Sequence, residues 1–209
     1  MTNNKLSWVI LAGGQASRMG GCDKGLLLLN DQSLVKLIYD KLTPQVTEIA
    51  INANRNQCEY NKITDVYNDK ISGFQGPLAG IHASLLRNTS QWVGFTPCDA
   101  PNIPTTLVSR LSANLDNNID IYVAHDGTYP QPVFSVWNRN MLNKLERFLN
   151  QGDRKMKLLF EQCNVHYVDF SDIPETFVNL NTPEQLDTYN TIPSFAHTTK
   201  IGNISDEQA

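Results

Sequence analysis

An apolar run near the start of the chain leads directly into a glycine-rich segment that carries two basic side chains. Residues 8–11 are typical of a buried β-strand, and residues 11–24 are LAGGQASRMGGCDK. Glycines let backbone N–H groups approach phosphate oxygens closely, and Arg18 and Lys24 add positive charge to the same loop. The spacing is that of neither the P-loop nor the dinucleotide fingerprint. Because a simple turn needs neither charge, we interpret this loop as a binding site for a nucleoside triphosphate.

Strand-like and helix-like apolar segments alternate along the rest of the chain. Strands are predicted over residues 7–12, 48–52, 63–67, 92–96, 119–124, 132–137, 165–170 and 177–181. Helices are predicted over residues 33–42, 78–86, 105–115, 141–149 and 155–160, with Ser33 capping the first, and a last helix begins at Thr182. This order predicts an α/β fold with a mostly parallel sheet and helices on both faces.

The composition is that of an ordinary globular protein, and it excludes some classes of function. The chain has 209 residues, of which 41% are hydrophobic and 18% charged, and its net charge is −4. We expect one domain over residues 1–190 and a polar, disordered tail over residues 191–209. The net charge provides no basic field for nucleic acid, and no segment resembles a signal peptide or a membrane span. A cytoplasmic location is therefore expected.

The cysteines give no sign of a metal centre or a redox pair. Cys22, Cys58, Cys98 and Cys163 form no Cys-x-x-Cys motif, and no histidine pair has the spacing of metal ligands. We expect inert thiols in a reducing compartment.

Four unusual segments follow predicted strands, at the edge where ligands bind in open α/β sheets. They span residues 13–24, 52–55, 69–80 and 97–101. Asp99 suits Mg²⁺ beside a triphosphate, because Mg²⁺ typically takes one or two carboxylates and completes its shell with water and phosphate. The alternative for Asp99 is the cap of an Asx turn. Asp23 is expected to pair with Lys24.

Two of these segments are less specific. Asn52 and Asn54 follow the second strand, where their amides could bind a base or ribose, or form a turn. Residues 76–80, GPLAG, combine a rigid turn with a glycine near a helix start, which could admit a ligand or pack tightly.

Residues 11–24 resemble the signature loop of the MobA-like nucleotidyltransferases. Residues 76–80 (GPLAG), 97–101 (PCDAP) and 179–184 (NLNTPE) resemble later motifs of that family in the same order, and the similarity extends from Val9 to Leu186. The resemblance implies a Rossmann-like three-layer sandwich. For the guanylyltransferase branch, it also implies transfer of GMP from GTP to the terminal phosphate of molybdenum-molybdopterin, with release of pyrophosphate.

The same resemblance assigns roles to individual residues. It implies nucleotide contacts from Leu11, Ala12, Gly13, Lys24, Asn52, Asp69 and Asp99, with Asp99 also holding Mg²⁺. Arg18, Lys24 and Asp99 are the predicted catalytic residues. Because the attacking phosphate is already anionic, they need to position and neutralise charge rather than remove a proton. Asn179, Asn181 and Gln131 are expected on the pterin side.

The expected partners are therefore GTP, molybdenum-molybdopterin and molybdoenzyme-maturation proteins, and the chain is expected to be a monomer that binds neither nucleic acid nor membrane. Two alternatives remain. One is a sister transferase that uses CTP or acts on a sugar phosphate, although the Gly13-Gly14 pair is more similar to the GTP branch than to the CTP branch. The other is a non-catalytic module that binds nucleotide and delivers cofactor, which would have no need of a metal ligand at Asp99.

Overall fold

Strands and helices alternate along the chain, as the sequence predicts. The computed structural model describes residues 6–14, 23–71, 76–180, 185–186 and 189. Within them the strands are β1 (Leu6–Leu11), β2 (Leu28–Leu29), β3 (Gln32–Ser33), β4 (Ile49–Asn52), β5 (Val66–Tyr67), β6 (Trp92–Pro97), β7 (Ile121–His125), β8 (Pro130–Asn138) and β9 (Val165–Asp169). The helices are α1 (Leu34–Leu42), α2 (Gln57–Tyr60), α3 (Pro77–Arg87), α4 (Leu107–Leu111), α5 (Leu142–Asn150) and α6 (Met156–Phe160).

A seven-stranded sheet with the order β5-β4-β1-β6-β8-β7-β9 forms the middle of the molecule. The first four strands in this order are parallel to their neighbours. Strand β8 runs antiparallel to both β6 and β7, and β9 is parallel to β7. The prediction of a mostly parallel sheet is confirmed. Because every strand except β8 points the same way, their carboxyl ends lie along one edge.

Helices cover both faces of this sheet, which makes the predicted three-layer sandwich. One core packs α1 and α4 against the sheet, for example through Ile38, Leu107 and Trp8. The other core packs α3 and α5 against the opposite face, for example through Ile81 and Leu145. Helix α1 shows why the sequence pattern works, because its buried residues recur at helical spacing: Leu34, Val35, Ile38 and Leu42.

In the described part of the segment predicted as a strand over residues 177–181, residues 177–180 do not form a strand, and residue 181 lies outside the described residues. Pro174–Phe177 is a 3₁₀ turn, and Phe177 is buried against Phe134 and Phe170. Leu180 then donates its backbone N–H to the carbonyl oxygen of Asp99, at 2.8 Å. Phe177 thus packs into the existing core, and the Leu180 N–H is used by the Asp99 loop. Residues 177–180 therefore pair with none of the described strands of the sheet.

Three further predictions about the helices have different outcomes. Helix α4 ends at Leu111 rather than at residue 115, because the chain turns so that the Asn114 carbonyl accepts a hydrogen bond from the Tyr122 hydroxyl (2.7 Å). Ser33 precedes α1, but its side chain makes no capping hydrogen bond. Of the last predicted helix, residues 185, 186 and 189 are helical, whereas Thr182 and the tail at 191–209 lie outside the described residues.

Two short elements were not predicted. The β2–β3 hairpin turns at Asn30 and Asp31, which both have positive φ (50° and 63°), as a tight hairpin turn of this type requires. Helix α2 follows Asn56, which also has a positive φ, of 48°. In the described part of the chain, no helix combines the length and the apolar character needed to cross a membrane.

Candidate active site

The glycine-rich loop leaves β1 between the ends of two neighbouring strands. Ala12 donates its N–H to the carbonyl of Asn52 at the end of β4 (2.8 Å), and Leu11 accepts from the N–H of Cys98 after β6 (3.1 Å). A Cβ on Gly13 would lie only 3.1 Å from Asn54 Nδ2. The lack of a side chain at Gly13 therefore lets the asparagine amide approach the loop backbone, as close binding of a ligand also requires.

Lys24 and Asp99 meet at this edge of the sheet. Lys24 Nζ lies 3.0 Å from Asp99 Oδ2, and the two side chains are 22% and 13% exposed. Asp99 stands in the loop after β6, and Lys24 begins a 3₁₀ turn after the glycine-rich loop. The two residues predicted to act on phosphate are thus brought together, in an ion pair sheltered from bulk solvent.

Asp23 does not pair with Lys24 as expected. Its Oδ1 accepts a hydrogen bond from the hydroxyl of Tyr60 (2.5 Å), and its Oδ2 accepts one from Nδ2 of Asn56 (3.0 Å). Both donors belong to the short α2 region, which the sequence pattern did not reveal. The α2 region thus occupies both carboxylate oxygens of Asp23, and Lys24 pairs with Asp99 instead.

Asp69 is fixed beside the loop by Asn54. Asn54 Nδ2 donates to Asp69 Oδ2 (2.8 Å), and the Asp69 N–H donates to Asn54 Oδ1 (2.9 Å). The second carboxylate oxygen, Asp69 Oδ1, is buried and has no hydrogen-bond partner within the described ranges. Buried acceptors are normally satisfied, so this oxygen is available for a hydrogen bond from a bound ligand or water.

Asn52 lies deeper than Asn54. It is 1% exposed, and its Nδ2 donates to the carbonyl of Tyr67 (3.4 Å). A Cβ on Gly80 would lie 2.4 Å from Asn52 Oδ1, so α3 approaches β4 closely because residue 80 has no side chain. The motif at residues 76–80 therefore packs its second glycine against a predicted nucleotide residue.

The loop that carries Asp99 is also held by α1. Lys41 Nζ donates to the carbonyl of Pro101 (2.6 Å), and Gln45 Nε2 donates to that of Pro104 (3.0 Å). Burial lowers the pKa of Lys41 below its usual value. The sequence did not reveal these roles, because Lys41 near the end of α1 and Gln45 in the turn that follows it both look like solvent-exposed polar residues.

Not every predicted residue is placed in this cluster. Arg18, Cys22 and Asn181 lie outside the described residues. Asn179 adjoins Leu180, whose N–H bonds the Asp99 carbonyl, so its segment reaches the site. Gln131 lies instead at the start of β8, where its Nε2 donates to Asp126 Oδ2 (2.7 Å).

The cysteines of the described chain form no disulfide bonds. Cys58, Cys98 and Cys163 are free. Burial raises the pKa of the Cys98 thiol well above its usual value, and the adjacent Asp99 carboxylate raises it further. Cys98 is therefore protonated and acts as a small buried residue.

The donor set fits a hard divalent cation shared with phosphate. In the described part of the chain, no three His, Cys, Asp or Glu side chains are grouped as a complete metal site. A nucleotide-bound cation does not need such a group, because Mg²⁺ takes one or two carboxylates and completes its shell with water and phosphate. The Asp99 carboxylate, partly exposed beside Lys24, could supply one such ligand.

Comparison with known proteins identifies the family to which the chain is similar. Residues 8–167 match the MobA-like NTP transferase domain, which is most of the chain. The chain belongs to this family. Among the similar relatives of this MobA-like NTP transferase, a protein of Vibrio vulnificus named molybdenum cofactor guanylyltransferase is 53% identical over 188 residues, which are 90% of this chain and 96% of the relative. A protein of Vibrio cholerae with the same name is 53% identical over 180 residues, 86% of this chain and 89% of the relative.

Solved structures show the same fold. A crystal structure of molybdopterin-guanine dinucleotide biosynthesis protein A from Archaeoglobus fulgidus aligns with a TM-score of 0.72 at 23% identity, covering 88% of this chain and 96% of that one. A nucleotidyl transferase from Methanothermobacter aligns with a TM-score of 0.70 at 17% identity, covering 90% and 98%. The prediction of a Rossmann-like nucleotidyltransferase is confirmed, and enzymes of this family generally use a divalent metal ion.

Proposed function

We propose that this MobA-like NTP transferase moves GMP from GTP to the terminal phosphate of molybdenum-molybdopterin, forming molybdopterin guanine dinucleotide and releasing pyrophosphate. The observation that carries the proposal is the 3.0 Å pair of Lys24 and Asp99 beside the glycine-rich loop. It occurs in a chain that is 53% identical over 90% of its length to a relative named for this guanylyl transfer.

The nucleotide would lie across the ends of β1, β4 and β6. Its triphosphate would bind Lys24, Arg18 and the backbone N–H groups at Gly13 and Gly14, because these groups are positively charged or are hydrogen-bond donors. Its nucleoside would lie against Leu11, Ala12, Asn52 and Asp69. The unpartnered Asp69 Oδ1 supports this placement, since the donors of a base or a ribose hydroxyl would satisfy it.

The proposed reaction requires no general base from the protein. An anionic oxygen of the pterin phosphate attacks the α-phosphorus of GTP, and the bond from that phosphorus to the bridging oxygen of the β-phosphate breaks. The bonding electrons leave with pyrophosphate, so no proton has to be removed from the nucleophile. Lys24 and Arg18 would neutralise the charge that accumulates on the departing phosphates, and holding the two substrates in line supplies the rest.

Asp99 would hold the divalent cation, which we propose to be Mg²⁺. When bound, such a cation withdraws negative charge from the phosphate oxygens it contacts. The ion pair with Lys24 keeps the Asp99 carboxylate turned toward the phosphate loop.

Asn179 and Asn181 are the residues that we propose to contact the pterin. The hydrogen bond from Leu180 N–H to the Asp99 carbonyl supports this for Asn179, because it holds the neighbouring residue against the loop that carries Asp99. Gln131 is a weaker candidate, since its amide already donates to Asp126. We further propose that the enzyme is a cytoplasmic monomer with one domain over residues 1–190, and that its product passes to molybdoenzyme-maturation proteins.

Pyrophosphate release by the purified protein tests the proposed function. The assay contains Mg²⁺ and GTP, with and without molybdenum-molybdopterin, and uses CTP and ATP in place of GTP as controls. We expect release that requires both GTP and the pterin. Release with CTP would assign the chain to the sister branch instead. Binding of GTP with no release under any condition would favour a delivery module and contradict the proposal.

A further inference from the structure

We propose that Tyr60 is a positioning residue for Lys24, acting through Asp23. The inference rests on the proposed function in one respect, namely that Lys24 binds the phosphates of the nucleotide. Tyr60 lies outside the glycine-rich loop and none of the recognisable motifs includes it, so its part in the site emerges only from the folded structure.

The turn that presents Lys24 is attached to the rest of the molecule on three sides. Asp23, just before it, bonds the Tyr60 hydroxyl (2.5 Å) and Asn56 Nδ2 (3.0 Å). Lys24 reaches Asp99 across the site. Leu27, just after the turn, accepts the N–H of Leu34 from α1 (2.9 Å). The Asp23 contacts therefore fix the end from which the lysine side chain extends.

Tyr60 is suited to hold a carboxylate in one place. Its ring is fully buried in the core on the α1 face, so the hydroxyl has a fixed position. Burial raises the pKa of the Tyr60 phenol far above its usual value, and the hydrogen bond to Asp23 raises it further. The hydroxyl thus stays protonated and donates to Asp23 throughout the physiological pH range. Hydrogen bonds to ionised acceptors are shorter and stronger than neutral ones.

Gly25 gives a second, independent sign that this contact is built into the turn. A Cβ at residue 25 would lie 2.6 Å from the Tyr60 hydroxyl and 3.2 Å from the ring. Only a residue without a side chain allows the turn after Lys24 to lie flat against Tyr60. The glycine and the tyrosine therefore fit one another across the same surface.

The expected effect on function depends on how well the Lys24 ammonium group is held at the phosphates. Losing the Tyr60 hydroxyl leaves the core ring in place but frees one oxygen of Asp23. The turn gains freedom, and Lys24 spends less time at the phosphates. Partners that orient metal ligands typically change affinity or activity by about 10- to 100-fold when removed, and we expect a loss of the same order when a phosphate-binding lysine loses its support.

A pair of matched tyrosine variants tests the proposal. Tyr60→Phe removes the hydroxyl that bonds Asp23. Tyr122→Phe is the control. Tyr122 is buried in the same core, and its hydroxyl donates to the Asn114 carbonyl in the turn that follows α4. Binding of Mg²⁺–GTP is measured by calorimetry, and the unfolding midpoint is measured for each variant. We expect Tyr60→Phe to weaken GTP binding by about tenfold or more, and Tyr122→Phe to bind as the wild type does.

The double variant Lys24→Ala/Tyr60→Phe separates positioning from a general loss of structure. If Tyr60 acts through Lys24, it has nothing left to position in the Lys24→Ala background, and adding Tyr60→Phe should not weaken binding further. Additive losses, or wild-type binding by Tyr60→Phe alone, would overturn the proposal. Binding needs no pterin, so the cycle gives its answer even if guanylyl transfer itself is not observed, and it is run with CTP if the wild type binds CTP instead.

Discussion

Gly80 of α3 lies directly against the side-chain oxygen of Asn52 at the end of β4. The position that a Cβ would take at residue 80 is 2.4 Å from Asn52 Oδ1 and 3.0 Å from Leu11 Cδ2. Real Cβ atoms do not approach oxygen so closely. Helix α3 therefore reaches its place over the nucleotide edge of the sheet only because residue 80 is glycine, and the same contact holds Asn52 in position.

Gly80→Ala is expected to lower the free energy of unfolding by about 1–3 kcal/mol, because a methyl group must be forced into a filled space. Urea unfolding monitored by circular dichroism measures the change. In the Asn52→Ala background the oxygen is gone, so the same substitution should cost less. Equal costs in the two backgrounds would show that the Asn52 contact is not what excludes a side chain.

Lys24→Ala and Asp99→Ala should each lower pyrophosphate release by about 10²- to 10³-fold, because each removes a preorganised charge at the transferring phosphate. Both variants should stay folded, which thermal unfolding checks. Lys36→Ala is the matched control, since Lys36 pairs with Asp40 on the exposed face of α1. Wild-type turnover in either site variant would exclude the roles assigned to this pair.

Removal of divalent cations with a chelator should stop pyrophosphate release, and added Mg²⁺ should restore it. Asp99→Asn should raise the Mg²⁺ concentration needed for half-maximal rate, because a neutral amide is a weaker ligand for a hard cation than a carboxylate. Asp40→Asn, on the surface of α1, serves as the comparison. An unchanged Mg²⁺ requirement in Asp99→Asn would place the cation elsewhere.

Lys41→Met should lower the rate of transfer while leaving the fold intact. It removes the hydrogen bond to the Pro101 carbonyl that ties the Asp99 loop to α1, yet keeps an unbranched side chain of similar length. A loss of about tenfold is expected if loop placement governs the rate, since misplacement of catalytic groups is costly. Steady-state kinetics at saturating Mg²⁺ and GTP measure the rate of transfer. An undiminished rate would show that the loop that carries Asp99 keeps its position without the hydrogen bond from Lys41.

The stability of the protein should decrease on mild acidification because of His82. This side chain is 5% exposed, and neither ring nitrogen has a partner among the residues that the structure describes. Burial lowers the pKa of His82 below its usual 6.5, against the opposite influence of Glu146 and Asp69. Below pH 6.5 the unfolded chain therefore binds this proton more readily than the folded protein does. Stability falls from there toward the folded-state pKa and levels off beneath it.

Unfolding midpoints measured across this range for the wild type and His82→Leu provide the test. The variant should show a flatter dependence on pH, because it has no proton to take up at this position. His166→Gln, on the exposed face of β9, is the control. If His82→Leu follows the wild-type curve, another group governs the acid sensitivity.

The main strands and helices were predictable because their burial follows simple periods. Within the apolar run at residues 8–11, Trp8, Val9 and Ile10 are fully buried in β1, and the helical spacing in α1 becomes its buried stripe. Helix α2 has only four residues and starts from an asparagine with positive φ, so it has too few turns to show any period. The irregular segment at residues 177–180 misled the prediction because its apolar side chains fill an existing core.

The candidate site was predictable in its parts but not in its pairings. Glycines, a lysine and an aspartate after successive strands pointed to one edge of the sheet, and the structure brings Lys24 and Asp99 into contact there. Asp23, the carboxylate predicted to pair with Lys24, instead bonds Tyr60, which lies 37 residues away in sequence and reaches it only in the folded chain. Contacts of this kind leave no local spacing to recognise.

The hydrogen bond between Leu180 and Asp99 has a consequence for how the protein folds during its synthesis. Lys24 and Asp99 belong to the first half of the polypeptide, whereas Leu180 packs onto Leu29 and Leu34 only after every strand of the sheet has been made. Domains generally fold as units while synthesis proceeds from the amino terminus. A growing chain therefore contains its glycine-rich loop long before Leu180, which bonds Asp99, has been translated. We therefore expect the proposed guanylyl transfer only from polypeptides that have been translated past residue 180.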